Sequence, residues 1–119
     1  MANGEVIIKM TDVIGRSLCM SSDDGEKVYK EIVKTLHDGQ KVALSFEGAE
    51  VISAFLNVAV GQLYNGQFAE DFISSNIRPI NAPPDDLHLL KRVVERAKVF
   101  YKDPERIKNA NKEILGDER

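Results

Sequence analysis

The sequence predicts a single α/β domain, built on a mixed, mostly parallel sheet of about four strands with helices packed against it. Apolar segments typical of strands alternate along the chain with segments whose apolar residues recur at helical spacing. Helices placed between strands require crossover connections, which make neighbouring strands parallel. The segment Lys41–Glu47 (KVALSFE) is apolar on both faces, which is typical of a strand covered on both sides. The 119 residues, of which 43% are apolar and 29% charged, suit one packed domain.

The first third of the chain predicts two strands and a helix. Residues Glu5–Met10 contain a β-branched run and Ser17–Met20 is a short apolar segment, so we expect the two to pair as a hairpin. Asp23, with Glu26 three residues later, has the pattern of a capping box at a helix start. Gly39 is expected to end this helix. Its apolar residues recur every four positions, at Val28, Ile32 and Leu36.

The middle of the chain predicts a second helix, a short third one and a further strand. Ser53 begins the second helix as its N-cap residue, and Ala54–Tyr64 carries its apolar stripe. A short helix over Ala69–Ser75 precedes a strand at Ile77–Ile80. Because Pro79 lacks a backbone donor, we expect this strand to lie at the edge of the sheet.

Two helices complete the prediction. The first follows Pro83 and Pro84, and the second runs from Pro104 to about Leu115, since an aspartate followed by a proline favours a new helix start. We therefore expect a domain over residues 1–103 and a C-terminal helical extension over residues 104–119. The apolar stripe of the first of these helices consists of Leu87, Leu90, Val94, Ala97 and Tyr101.

Charge and composition argue against several classes of function. A formal net charge of -3 does not provide the positive electrostatic potential that proteins use to bind the phosphates of nucleic acid. Cys19 is the only cysteine, so we expect a reduced, buried thiol and no internal disulfide. No signal-peptide pattern begins the sequence, and no segment has the roughly 20 apolar residues of a membrane span. We therefore expect a cytoplasmic protein that binds neither nucleic acid nor a membrane.

The sequence also lacks an assembled set of catalytic residues. His37 and His88 are the only histidines, and neither has the spacing of a metal site. No serine has the flanking glycines of a nucleophile elbow, and no glycine-rich phosphate loop is present. The carboxylate pairs Asp23–Asp24 and Asp85–Asp86 lie where helices begin, and there they favour capping over chemistry. We therefore expect a non-enzymatic protein without a metal or cofactor.

The junction between the covered strand and the second helix is the most informative segment. Ser53 serves there as a helix cap, but a hydroxyl at a helix start is also open to phosphorylation, which would add negative charge beside free backbone N–H groups. Asn57 and Gly61 are poor helix-interior residues, so we expect a close backbone approach, for instance of a strand against Gly61.

At this junction the sequence resembles the STAS-like domains of unknown function, small bacterial relatives of the sulfate-transporter and anti-sigma-factor-antagonist fold. The segment that carries the resemblance is LSFEGAEVISAFLNVAVGQLY, residues Leu44 to Tyr64. DGEKVY at Asp24–Tyr29 and LLKRVVERAK at Leu89–Lys98 support it. The likeness extends to about Asp103.

The resemblance implies a regulated surface at the start of the second helix. In antagonists of that kind a serine there is phosphorylated by an ATP-binding kinase of the GHKL type, and the unmodified form binds that partner and releases a sigma factor. Here Ser53 falls where antagonists usually have an aspartate, and Ala54 and Phe55 occupy the serine positions that follow. Ser53 is therefore a displaced candidate for the phosphoacceptor.

These observations favour a regulatory or adaptor domain that binds a protein partner through the strand-to-helix corner, with partner switching as one form of this function. We expect the partner to be a protein such as a GHKL-type ATPase or kinase. The candidate contact residues are Glu47, Gly48, Ser53, Ala54, Phe55 and Asn57.

Two alternatives stay open at this point. In one, the chain is an enzyme whose site is completed across a homo-oligomer, with Glu47, Ser53 and His88 as contributors. In the other, it is a structural subunit whose final helix packs against another chain. The apolar residues available for that contact are Ile107, Ile114 and Leu115.

Overall fold

The computed structural model describes residues 4–102. These residues form five strands, five α-helices and a 3-10 turn around one core. The strands are β1 (Glu5–Lys9), β2 (Leu18–Cys19), β3 (Lys41–Ser45), β4 (Glu50–Val51) and β5 (Ile77–Ile80). The helices are α1 (Met10–Ile14), α2 (Ser22–His37), α3 (Ser53–Ala59), α4 (Glu70–Asn76) and α5 (Pro84–Lys102), with the 3-10 turn at Gly61–Tyr64.

The central sheet contains three parallel strands in the order β1-β3-β5. Glu5 pairs with Lys41 at one end of the β1–β3 ladder, and Ser45 pairs with Ile80 at one end of the β3–β5 ladder. Because β3 lies in the middle, every residue from Val42 to Ser45 is buried, as its apolar pattern predicts. The predictions of a mostly parallel α/β sheet and of an edge position for Pro79 are confirmed.

The predicted hairpin between the first two strands is wrong. Residues 10–14 form α1, whose Met10 and Ile14 are buried one helical turn apart, and Gly15 ends the helix with φ 79. The helix carries the chain away from β1, so Leu18–Cys19 pairs in parallel with Glu50–Val51 instead. The resulting two-stranded sheet lies outside the central one, and β4 was not expected from the sequence.

Helix α2 lies against the sheet and α3, and buries the predicted residues Val28, Ile32 and Leu36. It begins two residues earlier than the capping pattern indicates. Ser21, not Asp23, is the N-cap residue, and its hydroxyl accepts the backbone N–H of Asp24 at 3.1 Å. Four residues that can cap a helix, residues 21–24, stand in a row here, and the first of them takes the role while Asp24 is buried.

The predicted helix over residues 54–64 is broken at Val60. Its φ of -119 interrupts the helix, and the chain continues as the 3-10 turn. The N-cap position of α3 is Ile52, so Ser53 is the first helical residue and the prediction that it caps the helix is wrong. Gly61 faces α5 rather than a strand: a Cβ built on it would lie 3.7 Å from the side chains of Val93 and Ala97.

Helix α5 packs on α3 and the 3-10 turn with a face slightly rotated from the predicted stripe. Val93 and Ala97 are buried, whereas Leu87 and Tyr101 are exposed. The predicted final helix and the domain boundary at residue 103 lie outside the described residues. Within the described part of the chain, no helix is both long and apolar enough to span a membrane.

Candidate functional site

The candidate site is the corner where the chain leaves β3 and enters α3. Phe46 is buried, and its carbonyl accepts the N–H of Ala49 at 2.9 Å in a tight turn. Gly48 lies in this turn with φ 72, a left-handed conformation that L side chains rarely adopt. The chain then passes through β4 and enters α3 at Ser53. The corner is therefore a loop anchored in the core at both ends.

Most of the predicted contact residues lie at the surface of this corner. Glu47, Gly48, Ser53, Ala54 and Asn57 are exposed, and we call these five residues together with Ile52 the corner surface. Ile52, which the sequence analysis did not select, is 38% exposed and adds an apolar patch. Its position between two short elements gave no periodic signal that would have identified it.

Phe55 does not belong to the corner surface, which corrects its assignment as a contact residue. Its side chain is 0% exposed and forms part of the core. One turn of α3 thus turns Phe55 inward while Ala54 and Asn57 face outward. Phe55 anchors the corner and is not available to contact a partner.

Polar residues at the carboxyl ends of the central strands border the corner. The Nζ of Lys9 lies 3.9 Å from a carboxylate oxygen of Glu47, and both side chains are partly exposed. The buried hydroxyl of Ser45 accepts the backbone N–H of Glu47 and the side-chain amide of Asn81, each at 3.3 Å. Because parallel strands end at one edge, the topology unites these residues, although the sequence analysis named only Glu47.

Asn81 has φ 55, the one left-handed non-glycine residue in the described part of the chain. Asparagine tolerates this conformation better than most residues, because its short amide side chain makes local hydrogen bonds. Asn81 directly follows β5, and this conformation brings its side-chain amide within hydrogen-bond distance of the Ser45 hydroxyl. Asn81 therefore fixes the edge of the corner to the end of the central strand.

A buried acid, Asp24, lies at the start of α2. Burial of Asp24 acts to raise its pKa, but the Arg16 guanidinium, the Ser21 hydroxyl and the Lys27 ammonium outweigh this and hold the pKa below its usual value. The Nζ of Lys27 is 3.7 Å from the carboxylate. This arrangement ties the segment before β2 to α2 and is structural.

Gly25, the next residue, sets the distance between α2 and α3. A Cβ built on it would lie 2.9 Å from the backbone oxygen of Phe55 and 2.9 Å from the Cβ of Val58. Only a residue without a side chain permits this approach. The helix that begins at the corner is thus positioned by a glycine that sequence reasoning did not single out.

Cys19 and His37 contribute no reactive group to the corner surface, because Cys19 pairs with Val51 of β4 but is buried, and His37 lies at the end of α2. Burial raises the pKa of the Cys19 thiol, whose Sγ donates to the carbonyl of Ser17 at 3.6 Å. His37 packs on Phe68, with ring centroids 5.6 Å apart. Between residues 4 and 102, no cluster of three or more histidine, cysteine, aspartate or glutamate side chains could hold a metal ion.

The residues expected for a site completed in a homo-oligomer lie in two separate parts of the described chain. Glu47 and Ser53 lie at the corner, and His88 is exposed in the first turns of α5. The large groove on the described surface is lined by other residues, chiefly those of the second half of α5. None of these three side chains lines that groove.

Comparison with protein families gave a match. A model described as a STAS-like domain of unknown function (DUF4325) matches residues 24–87, more than half of the chain. The matched region begins in α2, includes the whole corner and ends in the first turn of α5. Neither the search of curated proteins nor the search of solved structures gave a match.

Proposed function

We propose that this chain, which belongs to the family of STAS-like domains of unknown function, is a non-catalytic module that binds a protein partner through the corner surface. Membership of a STAS-like family suggests a regulatory or binding role. The partner that best fits this proposal is a GHKL-type ATPase or kinase. If that partner binds the chain differently once Ser53 is phosphorylated, the complex would act as a switch.

The observation that carries the proposal is the exposure of the corner on a rigid base. Phe46 and Phe55 are buried at its two ends, and the residues between them reach the surface. A preorganised loop has less conformational entropy to lose on binding than a free one. Residues that bind partners are found preferentially on loops of this kind, held by a packed scaffold.

The composition of the corner surface suits a protein partner. Ile52 provides an apolar centre, and Glu47, Ser53 and Asn57 provide polar groups around it. Protein interfaces commonly combine an apolar centre with a polar rim. The surface is small, so a partner would also contact residues beyond it, in keeping with a transient regulatory complex.

Ser53 is placed to act as a switch within this surface. Its side chain is exposed and stands next to Ile52, so a phosphate there would add about 1.5 to 2 negative charges to the apolar centre. The phosphate would leave the core unchanged, because Ser53 is exposed and the buried side chain of this turn belongs to Phe55. Phosphorylation of Ser53 is therefore expected to weaken a complex that buries Ile52.

The test is a binding titration with the products of neighbouring genes, with and without ATP, using matched variants. Ile52→Asp and Ser53→Asp are expected to weaken binding at least about tenfold, or about 1.4 kcal/mol. Ser53→Ala should bind like the wild type. Phe72→Asp and Ser74→Asp are the controls, since both positions are exposed on α4, which leads into the opposite end of β5.

Two results would contradict parts of the proposal. Equal binding by the Ser53 variants would exclude the switch but leave the docking surface. Loss of binding in the α4 variants, with normal binding by Ile52→Asp, would place the partner elsewhere on the domain. Circular dichroism of each variant should match the wild type, because none of the four positions is buried.

A further inference from the structure

An open groove lies between α3, the 3-10 turn and the second half of α5. It has a volume of about 790 Å³. One wall carries three apolar side chains that face solvent in part: Val99 is 46%, Phe100 44% and Tyr101 37% exposed. The remaining lining residues are Asn57, Gly61, Arg92, Glu95, Arg96 and Ala97.

We propose that this groove is the docking site of the chain's own C-terminal segment, residues 104–119. The inference is separate from the proposed function, with which it shares only Asn57. Three observations support it: the place where the described chain ends, the apolar pattern of the following sequence, and the charges on the groove.

The described chain ends at the mouth of the groove. Phe100 and Tyr101 line it, and the described part of α5 extends to Lys102. Asp103 precedes a proline, and the residue before a proline disfavours the helical conformation, so the sequence predicts a change of direction at this point. A segment that turns here starts beside the apolar wall.

The following sequence has a matching apolar stripe. If residues 104–115 are helical, as their pattern predicts, the helix is roughly 18 Å long, whereas the stretch of α5 from Arg92 to Tyr101 is roughly 15 Å. The segment is therefore long enough to run back along the groove. Its apolar residues at helical spacing are Ile107, Ala110, Ile114 and Leu115.

Charge complementarity indicates the direction in which the C-terminal segment runs along the groove. A segment that runs antiparallel to α5 from the turn at residue 103 brings Glu113 alongside the turn of α5 that contains Arg92 and Arg96. Both arginines are exposed, and within residues 4–102 neither forms an ion pair. The opposite charges would meet at the far end of the groove, while Ile107 would lie near the apolar wall.

A covalently attached occupant has an advantage over a second copy of the chain. The segment follows the described part of α5 directly along the chain, so a tethered segment that reaches the groove has an effective concentration there of roughly millimolar order. Closing a loop within one chain costs little conformational entropy compared with association of two molecules. At low protein concentration the intramolecular contact is therefore expected to dominate.

Hydrogen exchange measured by mass spectrometry on the full chain at low micromolar concentration tests this proposal. Ile107→Asp and Ile114→Asp should increase amide exchange in residues 96–102 at least threefold. Asn109→Asp adds the same charge on the opposite side of the predicted helix and should leave the exchange unchanged. A charge swap gives a second test: Arg96→Glu and Glu113→Arg should each increase exchange, and the double variant should restore it.

Several outcomes would overturn the proposal. Equal exchange in all three aspartate variants would show that the segment does not cover the groove. Exchange in residues 104–115 of the wild type at the rate of an unstructured peptide would point to a separate partner. Protection that appears only as concentration rises, together with a doubled mass, would identify a second copy as the occupant. None of these results depends on the corner surface, whose variants are tested by partner binding.

Discussion

Replacing Gly25 by alanine tests how α3 is held against α2. The added Cβ would lie 2.9 Å from the carbonyl oxygen of Phe55 and 2.9 Å from the Cβ of Val58, closer than such atoms approach in proteins. Neither atom is at the end of a flexible side chain, so one helix must move. Overpacking of this kind typically costs about 1–3 kcal/mol, and the upper part of that range applies because backbone is involved.

The net effect is smaller than the steric cost because alanine favours the helix. The change from glycine to alanine in a helix interior contributes about 1 kcal/mol of stability. The expected net loss in the free energy of unfolding is therefore about 1–2 kcal/mol, which corresponds to a melting temperature lower by roughly 5–10 °C for a domain of this size. Urea denaturation followed by circular dichroism measures the free energy directly.

Gly61→Ala is the matched control. The nearest side-chain atoms, in Val93 and Ala97, would lie 3.7 Å from the added Cβ, an ordinary packing distance. This variant should be as stable as the wild type or more stable by up to about 1 kcal/mol. If Gly25→Ala unfolds at the wild-type urea concentration, or if both variants lose the same stability, the close approach of α2 and α3 is not what the glycine provides.

Three further predictions concern stability and reactivity. Arg16 and Lys27 lower the pKa of Asp24 in the folded protein, so its carboxylate stabilises the fold at pH values above the usual pKa of 3.8. This stabilisation is lost as the pH falls through the lowered pKa. The loss of unfolding free energy in Arg16→Gln, measured by urea denaturation, should therefore be largest near neutral pH and vanish in acid. Cys19 should react with a disulfide reagent only as the protein unfolds, and rapid labelling of the native state would contradict its burial. Gly48 has a left-handed conformation, so Gly48→Ala should lower the free energy of unfolding by about 1 kcal/mol, as measured in urea, and Gly48→Asn should lower it less. Equal losses in the two variants would argue against a strained turn.

The parts of the fold that the sequence predicts correctly are those with a strong local pattern. Residues 42–46 are apolar except for Ser45 and show no charged face, and only a central strand covered on both faces buries them all. Val28, Ile32 and Leu36 follow one helical stripe, and all three are buried. The parallel arrangement follows from the helices between strands and needs no knowledge of contacts.

The errors arise where a pattern is too short or where neighbouring residues compete. β2 and β4 contain two residues each, so neither has a period that could identify a strand. Met10 and Ile14 are separated by one helical turn, but the β-branched run before them favours a strand up to Met10. The break at Val60 depends on packing of the 3-10 turn against α5, which no local pattern reveals.

The candidate site shows the same division. The exposure of Glu47, Ser53 and Asn57 agrees with the expectation that the end of a buried strand reaches the surface. The prediction that Phe55 contacts a partner is wrong because Ser53 and Ala54, which precede it, are exposed, whereas Phe55 points into the core. Gly25 and Asn81 act through partners about thirty residues or more away along the chain, so their roles emerge only from the folded contacts.

The shortness of α3 links the corner surface to these contacts. A helix of seven residues is far too short to be stable alone, so α3 depends on packing against α2 and α5. Gly25 permits that packing on one side and Phe55 supplies its buried anchor. A change at Gly25 is therefore expected to alter partner binding by moving Ser53, whereas Ser53→Asp alters it through charge with the fold intact. Comparing the two variants in one binding titration, at a temperature where both are folded, separates orientation from charge as the property that the partner recognises.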